Sequence, residues 1–435
     1  MSKTDDKIAE LKKGLRSSTK EVKMKKEFAR TGCFLMDVFF GGGDGLGIPY
    51  GTMVNMCGLP SSGKSLLGNE MIAAEYHRRK EKFKHQFEDS EGGNEFDTVE
   101  MYGFDIMGNN LLLTHPKAKK FKPAPETVED FDSRLTIFLN LLPKDKYGIY
   151  FQDSLDAITD AENQKRAEKR AEKYEKGETF DDGTFGTGGA KFLSQEFFKN
   201  QGAKIRQRKA IVCIISQVRD KLGASKYDPN KLRTTGGRSK KHWMGIEVWF
   251  KVICDLKNDD SDLANGVYVE AKGVKTRDGR IKRKMNFLFY TDYGIDDVGT
   301  SIDYIYNLRS KSGELLKSLV KDIPWGDADK PKADLAGVTS WLKEDEKRME
   351  AYREFRMDID GKKNIKASTV LEFSQSSEDL KKSFVDYFGK TYTRDELHLA
   401  CRKDPAMKKE LDTRVRKKWE DLEEASKSGL GRKYG

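Results

Sequence analysis

The sequence predicts an α/β protein whose central, mostly parallel, twisted sheet is flanked by helices. Apolar strand-like runs alternate with amphipathic helix-like stretches over residues 31–310, and a glycine-rich loop joins one such strand to a helix. The chain has 435 residues, which is long enough for one large core and smaller appendages. Since strands interleaved with helices form parallel sheets covered on both faces, we expect that architecture here.

The expected elements follow one another in regular order. Short apolar runs bounded by turn residues predict strands at 53–57, 83–89, 148–153, 210–216, 249–256, 267–274 and 285–290. Apolar residues at helical spacing predict helices at 66–80, 127–142 and 191–207. A further helix at 404–425 begins after Asp404 and has Pro405 in its first position.

From shifts in composition we expect the chain to have three parts with the following structures. Residues 1–30 form a charged helical arm for self-association, whose apolar stripe can pack on its own core or on a neighbouring subunit. Residues 31–310 form the core, in which 161–178 is an exposed, charged helical insertion with ion pairs four residues apart. Residues 311–435 form a charged, mainly helical C-terminal region with a disordered tail.

The composition indicates which kind of partner the protein binds and in which cellular compartment it is expected. The formal net charge is +10, which favours a polyanionic partner. Mean hydropathy is −0.74, and the chain has neither a long apolar span nor the apolar centre of a secretory signal. We therefore expect the protein to stay in the cytoplasm, or in a host's cytoplasm. The five cysteines lack CxxC spacing, which favours reduced, buried thiols over a disulfide framework or a zinc site.

Residues 58–65 read GLPSSGKS, which satisfies the phosphate-loop pattern GxxxxGK[ST] between a strand and a helix. Glycines let backbone N–H groups converge on phosphate oxygens, and the following helix N-terminus adds favourable dipole charge. Lys64 is expected to hold the β- and γ-phosphates of ATP, and the Ser65 hydroxyl to ligate Mg²⁺. The expected cofactor-binding residues of the loop are Gly58, Leu59, Pro60, Ser61, Ser62, Gly63, Lys64, Ser65 and Leu66.

Carboxylates follow two of the expected strands. Asp153 stands where the apolar run 148–153 ends, as a magnesium-associated carboxylate should, and Asp156 is the alternative. The strand at 83–89 is followed by a second acidic group, from which one carboxylate could activate the attacking water. The candidates in that group are Glu88, Asp89 and Glu91.

The order and the amino-acid sequences of these segments resemble those of the RecA family of ATP-dependent recombinases. TGCFLMDVFFGGGDGLGIPYG (31–51) is similar to the segment with which the family's core begins. The phosphate-loop region resembles the corresponding region of the family nearly residue by residue. FEDSEGG resembles the F-x-D-[AS]-E segment, which implies Glu91 as the catalytic glutamate. FQDSLDAIT resembles the VDS-x3-L segment, which implies Asp153 as the metal-associated aspartate.

The stretch SQVR…TTGG is the most diagnostic part of this resemblance. The family carries NQ[IV]R, a flexible loop and TTGG, so the resemblance implies Gln217 as the sensor of the γ-phosphate. It also implies a second DNA-binding loop at about 220–238 and a first one at about 180–192. The DNA-binding candidates of the second loop are Arg219, Lys221, Lys226, Lys231, Arg233, Thr234, Thr235, Gly236, Gly237 and Arg238.

Two further basic residues are implied to reach ATP across a subunit boundary. Lys275 and Arg277 fit the family's spacing best, and Lys272 is the alternative. The family's adenine-stacking position falls near Thr98, where no aromatic residue is found, so Phe96 or Tyr102 would have to substitute.

The resemblance implies a DNA-dependent ATPase that forms filaments on single-stranded DNA and pairs it with homologous duplex DNA in recombination and repair. ATP, Mg²⁺, further copies of the chain, mediator proteins and single-strand-binding proteins are the implied cofactors and partners. The charged insertion and the non-acidic tail look more like a phage recombinase of the UvsX kind than a host protein. The alternatives are a ring-forming helicase or repair regulator on the same core, and a non-catalytic DNA-binding filament protein.

Overall fold

A computed structural model describes residues 26–41, 45–179, 188–220, 232–234, 237–257, 264–276, 283–306, 385–387, 390–392 and 394–426. The strands, in chain order, are β1 (Phe28–Ala29), β2 (Ile48–Pro49), β3 (Thr52–Gly58), β4 (Phe83–Asp89), β5 (Tyr147–Asp153), β6 (Ala210–Asp220), β7 (Leu232–Thr234), β8 (Ile246–Lys257), β9 (Ala264–Lys275), β10 (Lys284–Tyr290), β11 (Gly294–Ile295), β12 (Val385–Tyr387) and β13 (Lys390–Tyr392). The α-helices are α1 (Phe34–Gly41), α2 (Lys64–Arg79), α3 (Thr98–Tyr102), α4 (Val128–Leu141), α5 (Ala161–Glu175), α6 (Gly188–Phe192), α7 (Phe198–Gln207), α8 (Gly237–Trp243), α9 (Asp297–Tyr306), α10 (Arg394–Lys403) and α11 (Pro405–Ala425).

One large sheet organises the described part of the chain. Its strand order is β11-β10-β9-β8-β3-β6-β5-β4, and β7 pairs with β6. The strands from β8 to β4 run parallel, whereas β9, β10 and β11 continue the sheet as an antiparallel edge. The predicted fold class, a mostly parallel sheet flanked by helices, is confirmed.

The two faces of the parallel strands bury separate apolar cores, because successive side chains of a strand point to opposite faces. On one face Val54 and Met56 of β3 pack with Leu67 and Ile72 of α2. On the other face Met53 of β3 packs in a cluster that also includes apolar residues of α4, β6 and α7. Every residue of β3 and β5 is buried, as expected for strands covered on both sides.

The segment expected to be one helix at 191–207 has a different structure. Helix α6 begins at Gly188, a π-helical turn spans Leu193–Phe197, and α7 continues from Phe198. The π-turn lets Phe197 and Phe198, which are consecutive, both reach the buried face. The charged segment 161–178 does form a helix, α5, which has no buried residue and begins at the Asp160 cap.

Helix α11, near the C-terminus, packs on the opposite end of the chain. Trp419 is 5% exposed and meets the ring of Phe39 in α1 edge-on, with centroids 6.1 Å apart. Arg283 and Glu423 form an ion pair at 2.7 Å beside this contact. Lys418 donates to the last carbonyls of α9, those of Tyr304 and Ile305. These contacts join α11 to the core.

No helix in the described ranges is long and apolar enough to cross a membrane. Four cysteines are buried and Cys254 is half-buried, so the expectation of buried thiols applies to Cys33, Cys57, Cys213 and Cys401 only. The expected arm at 1–30 lies outside the described residues except for its last positions, and most of the C-terminal region at 311–435 also lies outside them.

Candidate functional site

The phosphate loop connects β3 to α2 and needs glycine at both ends. A Cβ on Gly58 would lie 2.6 Å from Ser62 Oγ and 2.8 Å from the carbonyl oxygen of Phe250, so no larger residue fits. Gly63 has a φ of 78°, in the left-handed region that favours glycine. Ser61 also adopts a positive φ, 59°, which is uncommon for a residue with a side chain. This backbone makes a concave turn directly before the N-terminus of α2.

Lys64 lies across this turn and is nearly buried. Its Nζ donates to the carbonyl oxygen of Leu59 at 2.7 Å and to Ser62 Oγ at 3.2 Å. Burial lowers the pKa of Lys64, while the nearby carboxylates of Asp153 and Glu91 oppose that effect. The ammonium group is therefore held over the turn and faces acidic groups on the other side of the site.

Asp153 ends β5 beside the loop. Burial raises the pKa of Asp153 to about 6, the hydrogen bond from Ser65 lowers it, and the charges of Glu91 and Asp89 raise it further. A carboxylate and a hydroxyl in contact at a phosphate loop suit Mg²⁺, which binds proteins through one or two such groups and takes other ligands from phosphates and water. A bound cation would also relieve the cost of burying the ionised Asp153.

Glu91, in the loop after β4, is held by two hydrogen bonds. Gln217 Nε2 donates to Glu91 Oε1 at 2.8 Å, and the Ser154 hydroxyl donates to the same oxygen. The backbone N–H groups of Ser90 and Glu91 both donate to the carbonyl oxygen of Asp153. Glu91 remains exposed to solvent, so its carboxylate is oriented yet accessible.

These side chains surround a cavity of about 250 Å³. Phe96 and Phe289 form its aromatic wall, with ring centroids 6.5 Å apart. The lining residues are Pro60, Ser61, Ser62, Gly63, Lys64, Ser65, Leu66, Glu91, Gly93, Phe96, Asp153, Ile215, Gln217 and Phe289. The cavity thus brings together the phosphate loop, Asp153, Glu91 and Gln217, which come from four separate segments. Gly58 and Leu59 complete the loop but are not among the lining residues.

The competing carboxylates have other partners. Glu88 forms a buried bidentate ion pair with Arg134, at 2.8 and 2.6 Å, and also accepts from Tyr150. Asp89 accepts from the backbone N–H groups of Gly93 and Asn94 and so shapes the loop that carries Glu91. Neither Glu88 nor Asp89 lines the cavity.

Asp156, the alternative to Asp153, also lies outside the cavity lining. Its Oδ2 accepts from the backbone N–H of Gln217 at 2.8 Å, and its Oδ1 lies 3.7 Å from Arg219. Tyr102, the alternative to Phe96, lies beside Glu70, whose pKa is raised by burial to about 7 and lowered by a hydrogen bond from Tyr102. Phe96 is the one of the two aromatic candidates that lines the cavity.

Gln217 lies at the base of a β-hairpin. Beyond it, β6 pairs antiparallel with β7, with Val218 opposite Thr234 and Asp220 opposite Leu232. This stem forms the two ends of the predicted second DNA-binding loop. Arg219, opposite Arg233 in the register, is exposed.

Many of the predicted DNA-binding residues cannot be placed. Lys221, Lys226, Lys231, Thr235 and Gly236 lie outside the described residues. For Arg233, Gly237 and Arg238 the structure describes the backbone position only. Of the first loop, 180–187 lies outside the described residues and 188–192 forms α6.

Of the residues expected to act across a subunit boundary, Lys275 does not line the cavity of its own chain. Lys275 ends β9, and its Nζ donates to the last carbonyls of α8, those of Lys241 and His242, the latter at 3.0 Å. The alternative, Lys272, is exposed on β9 opposite Trp249. Arg277 lies outside the described residues.

Two residues of the site and the burial of one lysine outside it were not predicted from the sequence. Ser154, which donates to Glu91, was not predicted as a site residue although it directly follows Asp153. Phe289, which lines the cavity, was predicted only as part of a strand. Lys240, in the basic run after TTGG, is fully buried, which the run's charge gave no reason to expect. The first two could have been found from their positions at strand ends next to the predicted site.

Comparison with known proteins shows that this chain is distantly similar to proteins named RecA. It is 28% identical over 303 residues to Protein RecA of Nitratiruptor sp., covering 69% of this chain and 76% of the relative. It is 26% identical over 275 residues to Protein RecA of Sulfurovum sp., covering 63% and 68%. The identity is 27% over 292 residues to Protein RecA of Chlorobium limicola, covering 67% and 73%. No family model matches the chain. The similarity to these relatives supports the resemblance to the RecA family that the sequence motifs indicate.

Proposed function

We propose that this distant relative of the RecA proteins is a DNA-dependent ATPase that forms filaments on single-stranded DNA and promotes homologous pairing and strand exchange. The single observation that carries the proposal is the position of Gln217. Its side chain bonds Glu91 in the nucleotide cavity, while its backbone begins the stem of the predicted DNA-binding hairpin. One residue thus belongs to both the ATP site and the DNA loop.

Nucleotide binding would use the phosphate loop and its neighbours. The backbone N–H groups of the loop and the N-terminus of α2 would surround the phosphates, with Lys64 over their β- and γ-oxygens. Ser65 and Asp153 would hold Mg²⁺, which supplies charge neutralisation at the phosphate oxygens when bound. Phe96 and Phe289 would offer the adenine its apolar wall.

Hydrolysis would depend on Glu91. The carboxylate accepts a proton from a water molecule whose oxygen attacks the γ-phosphorus, and the bond from that phosphorus to the β,γ-bridging oxygen breaks, leaving ADP and phosphate. Gln217 and Ser154 orient Glu91 through the hydrogen bonds described above. Because the Gln217 amide has two N–H donors, it can hold Glu91 with one and reach a γ-phosphate oxygen with the other.

The site would be completed by the next subunit of a filament. Lys275 and Arg277 of that neighbour would face the triphosphate, so ATP would stabilise the subunit contact. Loss of the γ-phosphate would remove those contacts and loosen the filament.

DNA would be held mainly through its phosphates. The basic residues of the second loop supply a sequence-independent attraction, and the glycines of TTGG let the backbone approach closely. Base pairing between strands, and not the protein, would then read the sequence. The charged helix α5 and the non-acidic tail support a phage member of the family, working with mediator and single-strand-binding proteins.

A strand-pairing assay tests the proposal. Purified protein, ATP and Mg²⁺ are mixed with a labelled single strand and a homologous supercoiled duplex, and joint molecules are counted on a gel. We expect joint molecules with homologous DNA only, and filaments in electron micrographs with a non-hydrolysable ATP analogue. DNA-stimulated ATP hydrolysis without joint molecules would instead favour a ring helicase or repair regulator.

A further inference from the structure

A buried lysine closes the base of the DNA-loop hairpin. Lys240 lies in α8, shortly after β7, and its side chain is 0% exposed. Its Nζ donates to Ser216 Oγ in β6 at 2.7 Å, so the chain leaving the hairpin is tied to the chain entering it. Burying an ammonium group costs free energy, and burial lowers the pKa of Lys240 accordingly. The free-energy cost of burying this ammonium group indicates that Lys240 has a specific role.

The contact continues into the strand that carries the phosphate loop. Ser216 Oγ donates to Asn55 Oδ1 in β3 at 2.8 Å. The parallel register places Cys57 beside Ser216 and Gly58 beside Gln217. The exit of the hairpin, the sensor strand and the strand ending at the first loop glycine therefore meet at one hydroxyl group.

Two carboxylates near Lys240 come from other segments, Asp156 from the turn after β5 and Glu247 from β8. Attraction from Asp156 and Glu247 partly offsets the effect of burial on the pKa of Lys240. Asp156 also accepts from the backbone N–H of Gln217, and Glu247 pairs in register with Asn55. The ammonium group thus interacts with Asp156, a carboxylate that accepts a hydrogen bond from the backbone of Gln217.

Ser216 and Gln217 are consecutive residues of β6, so their side chains point to opposite faces of the sheet. On one face Ser216 meets Lys240, and on the other Gln217 meets Glu91 in the nucleotide cavity. A displacement of α8 that pulls on Ser216 is therefore passed to Gln217 through a single peptide unit.

We infer that Lys240 is a positioning residue that couples the DNA-binding hairpin to the ATP site through Ser216 and Gln217. The inference rests on the proposed function, because it needs both ligands to bind. A change in the hairpin on binding DNA shifts α8, and Lys240 carries that shift across the sheet to the group that orients Glu91. Removing the ammonium group leaves both binding sites intact and breaks the link between them.

Coupling is measured as a ratio of affinities. The dissociation constant of a fluorescent oligothymidylate is measured by anisotropy with and without a non-hydrolysable ATP analogue and Mg²⁺. Coupled sites typically change each other's affinity by about 5- to 150-fold, and the same factor must appear in both directions. We expect Lys240→Met to bring this factor close to one, while the affinity for each ligand alone changes by less than about threefold.

Lys204→Met is the control, since it removes an exposed lysine from α7 and should leave the factor unchanged. If Lys240→Met keeps the wild-type factor, the inference is overturned and the proposed function stands. If the wild-type protein binds neither ligand, or shows no coupling, the proposed function fails as well.

A second variant distinguishes loss of coupling from misfolding of Lys240→Met. In Lys240→Leu combined with Ser216→Ala, both members of the Lys240–Ser216 hydrogen bond are replaced by apolar groups, and of their neighbours Asn55 Oδ1 loses its donor. The double variant should also lose the coupling factor, and retention of the factor in a folded double variant would overturn the inference.

Discussion

Glu91 shows how much one exposed carboxylate depends on its neighbours. It gains its orientation from the amide of Gln217 and the hydroxyl of Ser154, and it keeps its access to water. Nearby Glu88 is buried and neutralised by Arg134, so it stabilises the fold and is not available to water. Two glutamates three positions apart thus have different roles because only one of them faces the cavity.

Replacing Glu91 by glutamine should separate binding from turnover. Glu91→Gln keeps the shape of the side chain but removes the proton acceptor, so we expect ATP hydrolysis to fall by about 10²- to 10⁴-fold. Affinities for ATP and single-stranded DNA should stay near those of the parent protein. Steady-state phosphate release and equilibrium binding check the two parts. Glu95→Gln, an exposed change in the same loop, is the control, and unchanged turnover in Glu91→Gln would remove Glu91 from its role.

At the scale of elements, the parallel strands and α2 form the part of the molecule that the sequence predicts best. Apolar runs, the phosphate-loop motif and the helical spacing all act locally, so β3, β5 and α2 are found close to where they were expected. The π-turn between α6 and α7 was not predicted, because it depends on which phenylalanines reach the core.

The residues of the candidate site also differ in how well the sequence predicts them. Lys64, Ser65 and Asp153 lie at element ends that a motif marks, whereas Phe289 reaches the cavity, and Lys240 reaches Ser216, through long-range packing. The sequence cannot show that a lysine in a basic run points inward, since the pattern there is typical of a solvated surface.

Helix α11 should contribute to stability through one large side chain. Trp419 packs on Phe39. Trp419→Ala should lower the free energy of unfolding by about 3–5 kcal/mol, because apolar burial is lost and a cavity is left behind. Urea unfolding followed by far-UV circular dichroism measures the change. Leu422→Ala, on the exposed side of the same helix, should cost under about 0.5 kcal/mol, and equal effects of the two substitutions would contradict the described packing.

At the scale of the whole molecule, one buried histidine should make stability depend on pH. His85 is 3% exposed in β4, its Nε2 lies 2.8 Å from the carbonyl oxygen of Ile106, and burial lowers its pKa from 6.5 to about 4. The unfolded chain therefore binds a proton more readily than the folded protein between these values. The stabilising contribution of neutral His85 is complete above pH 6.5 and is lost as the pH falls towards 4.

The comparison with His85→Gln isolates this contribution, because glutamine can donate to Ile106 but does not titrate. Between pH 7 and pH 4 the parent protein should lose about 3 kcal/mol more unfolding free energy than the variant. Urea unfolding at both pH values gives the difference. His77→Gln, at an exposed position, should behave like the parent, and parallel pH profiles for parent and His85→Gln would refute the argument.

The closed base of the hairpin has an evolutionary consequence. Strand pairing and the Lys240–Ser216 bond fix the ends of the segment between Asp220 and Leu232, and each doubling of a loop's length costs only about 0.6 kcal/mol. Insertions and deletions there are cheap, whereas a one-residue change within β6 would exchange the faces of Ser216 and Gln217. Under the proposed function, the segment expected to contact DNA can therefore vary in length while the residues expected to hydrolyse ATP keep their positions.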